Sequence, residues 1–401
     1  MRVKFAVEFL ACTLTLLATC NADERTSHPE PELWKLRTVD QSSKGADGVR
    51  LGDVDKDGRL DIGTGWEEGG QIRIAFQPVA SKVRRLWTSI KVGSNKSPED
   101  AVFADVNGDG WLDVISCCEG KQQSVFFHLN PGSVDSVRNA RKWKTQLLPE
   151  TQNASRWMFC QPLDSARLIL GSKEPHGQIS IWDFSKPIPL QRIRRAGWIM
   201  SLRTWDIDSD GDLDILYSDR KGKSRSVGWL EQMENGIWKD HLIGGEGMEV
   251  MFMDIAMIDN QLTVACNTRN GQILLFTPGV NARDKWAVRK IAHPANSGAG
   301  KAVAIGDLDG DGIVDLACTC GLASKKHGVY WLRQPSGNQQ ITPDSPEQWE
   351  FHEISGVDSG EKFDRIELLD VDSDGDLDLL TCEERDNLGV VWYENPRTAA
   401  R

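Results

Sequence analysis

Beyond its first 22 residues, this 401-residue chain has no apolar run long enough to cross a membrane as a helix. It has no C-x-x-C pair and its seven histidines are scattered, so a zinc centre is not expected. A G-x-S-x-G nucleophile elbow is absent, which removes the serine hydrolases that depend on it. No basic stripe or aromatic-interleaved basic patch is present, so nucleic acid is not an expected partner. Cysteine is sparse: Cys117, Cys118, Cys160, Cys266, Cys318, Cys320 and Cys382 follow residue 22, an odd number that cannot all pair. Five of them fall at or just past the ends of one kind of strand, where small apolar packing accounts for them. A bridge between neighbouring repeats, or a vicinal Cys117–Cys118 pair, is the alternative.

What is present is acid, and it is patterned. The run D-x-[DN]-x-D-G-x-x-D occurs five times, at residues 53–61, 105–113, 206–214, 307–315 and 370–378. Carboxylates at alternate positions of a tight loop point their oxygens into one small volume. Calcium, which accepts about six to eight oxygen ligands at flexible geometry, suits that volume. The expected ligands are Asp53, Asp55, Asp57 and Asp61 in the first loop, and Asp105, Asn107, Asp109 and Asp113 in the second. Asp206, Asp208, Asp210 and Asp214 follow in the third, Asp307, Asp309, Asp311 and Asp315 in the fourth, and Asp370, Asp372, Asp374 and Asp378 in the fifth. The glycine at the sixth position permits the turn that would return the ninth-position Asp to the ion. An EF-hand would carry Glu at position twelve, but Thr64, Ser116, Tyr217, Cys318 and Thr381 stand there, and an apolar run rather than a helix follows. Calmodulin-like sensing is thereby excluded.

Two gaps between loops are about twice the others, and each holds a decayed copy, at 162–171 and 253–264, giving seven units. Every unit reads as short strands: one into the loop, one out of it, and a third rich in β-branched and aromatic residues, such as 71–76. A fourth often begins with Trp, at 87, 143, 238, 286 and 349. An extra copy of that fourth strand, about residues 34–39, precedes the first unit, while the last unit stops after its third. An all-β, seven-bladed β-propeller of four-stranded blades follows, its ring closed by the N-terminal strand joining the last blade. It forms a single domain over 23–401, about 54 residues per blade.

The loops, the D-[IVL]-x-x-[GSC] strand after them and the G-x-[IV]-x-[VIF]-[YWF] strand resemble FG-GAP/VCBS repeat proteins, the propeller family of the integrin α-subunit head. The resemblance covers nearly all of residues 23–401 and implies calcium at the matching aspartates, in up to five structural sites. It names no substrate, because propellers host many functions. A weaker resemblance is to the propeller part of aldos-2-ulose dehydratase, a sugar-processing enzyme, without that enzyme's cupin portion. Calcium-bearing propellers also occur among polysaccharide lyases.

Residues 1–22 read as a signal peptide: Arg2 and Lys4, an apolar stretch over 9–17, and a small-residue cleavage context at 20–22. Secretion, or export to a periplasm or cell envelope, is expected, with a lipid anchor at Cys20 as the alternative. Millimolar calcium outside a cell would fill even weak sites. The formal charge of −12 becomes −13 once Arg2, Lys4 and Glu8 leave with the leader. The five loops hold 21 acidic residues, and five calcium ions would bring the mature chain to about −3.

In an up-and-down blade, the second-to-third and fourth-to-first connections share the face opposite the calcium loops. There the sequence places charge and Trp where ordinary turns would have Gly, Asn or Pro: Trp66, Glu67, Glu99, Glu119, Lys173, Trp198, Asp219, Arg220, Glu249, Lys301, Lys362, Arg365, Glu383 and Glu384. Salt bridges between blades would explain them, and so would a polar funnel at the axial mouth. Trp66, Trp157 and Trp198 are candidates for stacking on sugar rings. The favoured expectation is a monomeric calcium-binding propeller that binds carbohydrate at this mouth. A sugar or polysaccharide lyase or dehydratase is the second reading, with Glu383, Glu384, Lys173, Arg220, Lys301 and Arg365 as candidates for proton abstraction and enolate stabilisation. An integrin-like adhesion or protein-interaction module is the third.

Overall fold

The acidic loops each turn the chain back on itself, and the alternating apolar runs on either side pair as antiparallel strands. The computed structural model describes residues 33–186, 189–258, 260–335 and 349–396. The leader at 1–22 and Asp259 of the second decayed copy lie outside the described residues. Seven four-stranded antiparallel sheets form a seven-bladed β-propeller. The blades run from Ala46 to Gly93, Pro98 to Leu147, Arg156 to Arg195, Ile199 to Gly244, Val250 to Ala292, Ala299 to Glu353, and Phe363 to Glu394. Strand β1 (Lys35–Asp40) completes the seventh blade by pairing antiparallel with the strand Gly389–Glu394, Lys35 opposite Glu394 and Thr38 opposite Val391. The third blade's outer strand, Leu190–Arg195, lacks the Trp that opens most of the others.

Burial follows position in the ring. Second strands such as Asp113–Cys118 are buried at every residue, because each face packs on a neighbouring blade. Outer strands such as Thr88–Gly93 alternate between exposed and half-buried before they turn inward. The core is therefore layered between blades. Between the seventh and first blades, Val39, Trp392 and Leu380 meet Ile62, Trp66 and Trp87. Between the fourth and fifth, Trp229 and Leu216 meet Val264, Phe276 and Trp286. Trp66, Trp157, Trp229, Trp286 and Trp392 are all fully buried. The seven cysteines after residue 22 are buried and unpaired, as small apolar packing requires.

One irregularity recurs in all seven blades. Near its start the first strand slips one or more residues against the second: between Asp47 and Arg50, Pro98 and Asp100, Trp157 and Phe159, Ile199 and Ser201, Val250 and Met253, Gly300 and Val303, and Phe363 and Ile366. Bulges of this kind re-aim side chains. Here they bring Asp47, Glu99, Met158, Met200, Met251, Lys301 and Asp364 to equivalent places at one end of the axis.

Candidate functional site

The acidic loops lie at one end of the blades. Their sixth-position glycines, Gly58, Gly110, Gly211, Gly312 and Gly375, have φ between 83° and 97°, a left-handed backbone that a Cβ would strain. The first-position Asp ties the turn: Asp206 accepts from the amides of Asp210 and Gly211 at 3.1 Å each, and Asp370 accepts from those of Asp374 and Gly375 at 3.0 and 3.1 Å. Ligand oxygens of Asp53, Asp55 and Asp57 all lie within 4.8 Å of one another, as do those of Asp206, Asp208 and Asp210, and of Asp307, Asp309 and Asp311. Asp55 Oδ1, Asp208 Oδ1, Asp307 Oδ1 and Asp372 Oδ1 are buried without a hydrogen-bond partner. All-oxygen donors at this spacing, with orphaned oxygens among them, fit a calcium ion. In the second loop Asn107 replaces one carboxylate, and its Nδ2 donates to Asp109 Oδ2 at 3.0 Å, leaving fewer charged donors.

The ninth-position aspartates also brace their loops. Asp61 accepts from the amides of Val54 at 3.1 Å and Gln77 at 2.9 Å, using both oxygens. Asp113, Asp214, Asp315 and Asp378 repeat this bracket between the loop and the end of the third strand. Burial raises Asp61 to about 7 and Asp378 to about 8 against the lowering effect of those amides.

Arginines from neighbouring blades reach the loops, a feature the sequence reading missed. Arg138 bonds Asp55, with its Nε 2.9 Å from Oδ2, while Arg84 pairs with Asp372 and Arg283 with Asp208. Each precedes a Trp whose indole N–H is tied to the same turn: Trp87 to Val83 O, Trp143 to Val137 O and Trp286 to Ala282 O. An Arg shortly before the outer-strand Trp was the available signal.

At the opposite end, the bulged strand starts and the second-strand ends surround an axial cavity of about 340 Å³. Of the residues anticipated there, Glu67, Glu99, Glu119, Lys173, Trp198, Arg220, Lys301 and Lys362 line it. Asp47, Met158, Phe159, Met200, Met251, Arg269 and Arg385 line it as well. Asp47 went unread, although Glu99 and Lys301 occupy the equivalent place in their own blades.

The others are placed elsewhere. Trp66 is packed between the seventh and first blades, and Trp157 is fully buried with its Nε1 donating to Thr151 O. Glu383 has no exposure: its Oε1 accepts from the amides of Glu361, Lys362, Arg385 and Asp386, and its Oε2 from that of Leu388, so it knits a loop. Asp219 accepts from the amides of Gly197 and Trp198 and pairs with Arg194 at 2.9 Å. Arg365 is buried, its guanidinium 5.5 Å over the Phe252 ring, with Nε and Nη2 lacking hydrogen-bond partners. Burial, then Arg50 and Arg203, lower it to about 9. Glu249 is a rim residue that binds Lys221 and Arg220, the latter at 3.2 Å. Glu384 pairs with Lys362 beside Asp47.

Charge in the cavity is divided by side. Asp47, Glu67, Glu99 and Glu119 come from the first two blades, while Lys173, Arg220, Arg269, Lys301, Lys362 and Arg385 come from the other five. Lys173 Nζ lies 4.3 Å and the Arg220 guanidinium 4.6 Å from the Trp198 ring centroid, so the indole is covered by cations rather than bare for stacking. Lys173 also pairs with Glu119. Burial lowers Lys173 below the ordinary ammonium value, against the raising effects of Glu99, Glu67 and Asp47. Burial and then Asp364 push Asp47 up to about 7, and burial with Asp47 and Glu67 raises Glu99 well above its usual value. Lys301, 2.5 Å from Asp364 Oδ2, is raised on balance: burial works to lower it, and Asp364 and Asp47 outweigh that. Among the described residues no helix is long and apolar enough to cross a membrane. No protein-family model and no curated protein sequence matches the chain.

Proposed function

We propose that this is an exported, calcium-stabilised propeller of the FG-GAP/VCBS type whose axial funnel binds a carbohydrate bearing a carboxylate. The observation that carries this reading is the two-sided cavity: carboxylates to accept from hydroxyls on one wall, and Lys173, Arg220 and Arg269 to hold an anion on the other. A neutral apolar ligand would leave both walls unpaired, at a cost of several kcal/mol. Trp198 contributes by holding the cations in place instead of stacking on a sugar.

The test is calorimetric titration of the calcium-loaded protein with glucuronate and galacturonate oligosaccharides against their neutral counterparts. Acidic sugars are expected to bind, and Arg220→Ala or Lys173→Met to weaken them at least tenfold. Equal binding of neutral and acidic sugars, or of neither, would refute the reading. Elimination chemistry is a second reading, favoured by one observation: a lysine whose pKa is lowered beside the acid-binding wall can abstract the proton α to a uronate carboxylate. The ultraviolet absorbance of an unsaturated uronate product, abolished in Lys173→Met, tests it.

A further inference from the structure

Among the described residues, the acidic wall of the funnel is ion-paired only at its edge, where Glu119 meets Lys173. Ligand oxygens of Asp47, Glu67 and Glu99 lie within 4.8 Å of one another, and Asp47 belongs to a second such group with Asp364 and Glu384. Asp47 is 5% exposed, Glu99 7% and Asp364 1%. Two buried acids elsewhere in the protein are fully satisfied: Asp100 forms a bidentate pair with Arg50, and Glu383 takes five backbone amides. By contrast, Asp47 and Glu99 have no side-chain hydrogen bond or ion pair among the described residues and feel Lys173, Lys301 and Lys362 only at longer range, while Asp364 Oδ1 is buried without a hydrogen-bond partner. The nearby lysines are committed, Lys173 to Glu119, Lys301 to Asp364 and Lys362 to Glu384.

Taking a carboxylate out of water without a partner costs several kcal/mol, and three together repel as well. A single cation within reach of all three would offset both costs. We infer that Asp47, Glu67 and Glu99 hold a divalent cation inside the funnel, at a site separate from the loops at the other end of the blades. The spread of the oxygens suits a metal coordinated at roughly 2.0–2.6 Å. An oxygen-only donor set, with no His or Cys in either group, selects magnesium, manganese or calcium over zinc or copper. The ion's free positions face the cavity that Arg220 and Lys173 close from the other side.

This site does not depend on which ligand the funnel takes, so its test uses no sugar. Equilibrium dialysis against Mn²⁺ counts the ions bound by the mature protein and by two variants, Asp47→Asn/Glu99→Gln and Glu67→Gln. Glu67 is only half-buried, so the second variant keeps the question open should the first fail to fold. One equivalent fewer in the double variant, and at least tenfold weaker binding of one equivalent in Glu67→Gln, is expected. An anomalous manganese peak should stand between the three carboxylates in crystals. An unchanged count in folded variants, or manganese confined to the loops, would overturn the inference.

Discussion

Replacing Asp61 by Ala separates a bracket from a calcium ligand. The side chain has no exposure, and it satisfies the amides of Val54 and Gln77 at 3.1 and 2.9 Å. Gln77 in turn donates from Nε2 to Val371 O at 3.0 Å, so the bracket also ties the first blade to the seventh. Removing the carboxylate strands two buried donors, at about 1–3 kcal/mol each. Burial raises Asp61 to about 7, so near neutrality part of the population lacks a full carboxylate, and the lower part of that range, about 2–4 kcal/mol in total, is expected. With a urea slope of about 3 kcal/mol per molar, the unfolding midpoint falls by about 1 M. Urea titration followed by Trp fluorescence, in calcium and again in chelator, should show the same fall in both. A loss seen only with calcium would make Asp61 an ion ligand and refute the bracket.

The complementary pair, Asp57→Ala with Asp210→Ala, should lower the melting temperature in calcium and leave it unchanged in chelator; equal losses would remove calcium from these loops. Asp100→Asn breaks the buried pair with Arg50 and should cost about 3–5 kcal/mol in denaturant titration. Arg138→Ala, whose side chain is 44% exposed, should cost only about 0–1 kcal/mol by the same measurement. Buried His128, held between Ser116 and Thr145 hydroxyls, has its pKa lowered by burial to about 3. The unfolded chain therefore takes up its proton first, near 6.5, and stability is lost as pH falls from there toward 3, by up to about 1.4 kcal/mol per unit. The difference between wild type and His128→Gln, measured by urea unfolding from pH 7 to 4, should shrink as pH falls; a constant difference would contradict it.

The ring was legible because its signals are local and repeated. Loop spacing counted the blades, and the surplus strand at 34–39 announced the closure now seen between β1 and residues 389–394. The funnel was legible in part, because a turn position says which face a side chain is near but not where its partners are. Glu383 and Glu67 occupy comparable turns, yet five amides converge on Glu383 while Glu67 faces the cavity. Asp47 was missed because the residues before it, Ser42, Ser43, Lys44, Gly45 and Ala46, read as an ordinary turn, although the slip beside it matches those beside Glu99 and Lys301.

The pairing of β1 with the final strand also sets an order of events. Arg37 and Glu394 meet across 357 positions of sequence, so the seventh blade stays one strand short until the last segment of chain exists. Six blades can form as they emerge, by contacts between neighbours, but closure is a long-range step that comes late. Until then β1 is an unpaired strand and the seventh blade an open edge, and each offers the other's place to a second copy of the chain. Dilution during refolding should therefore favour monomers over exchanged dimers, since the seam is the one place where two chains can trade identical pieces.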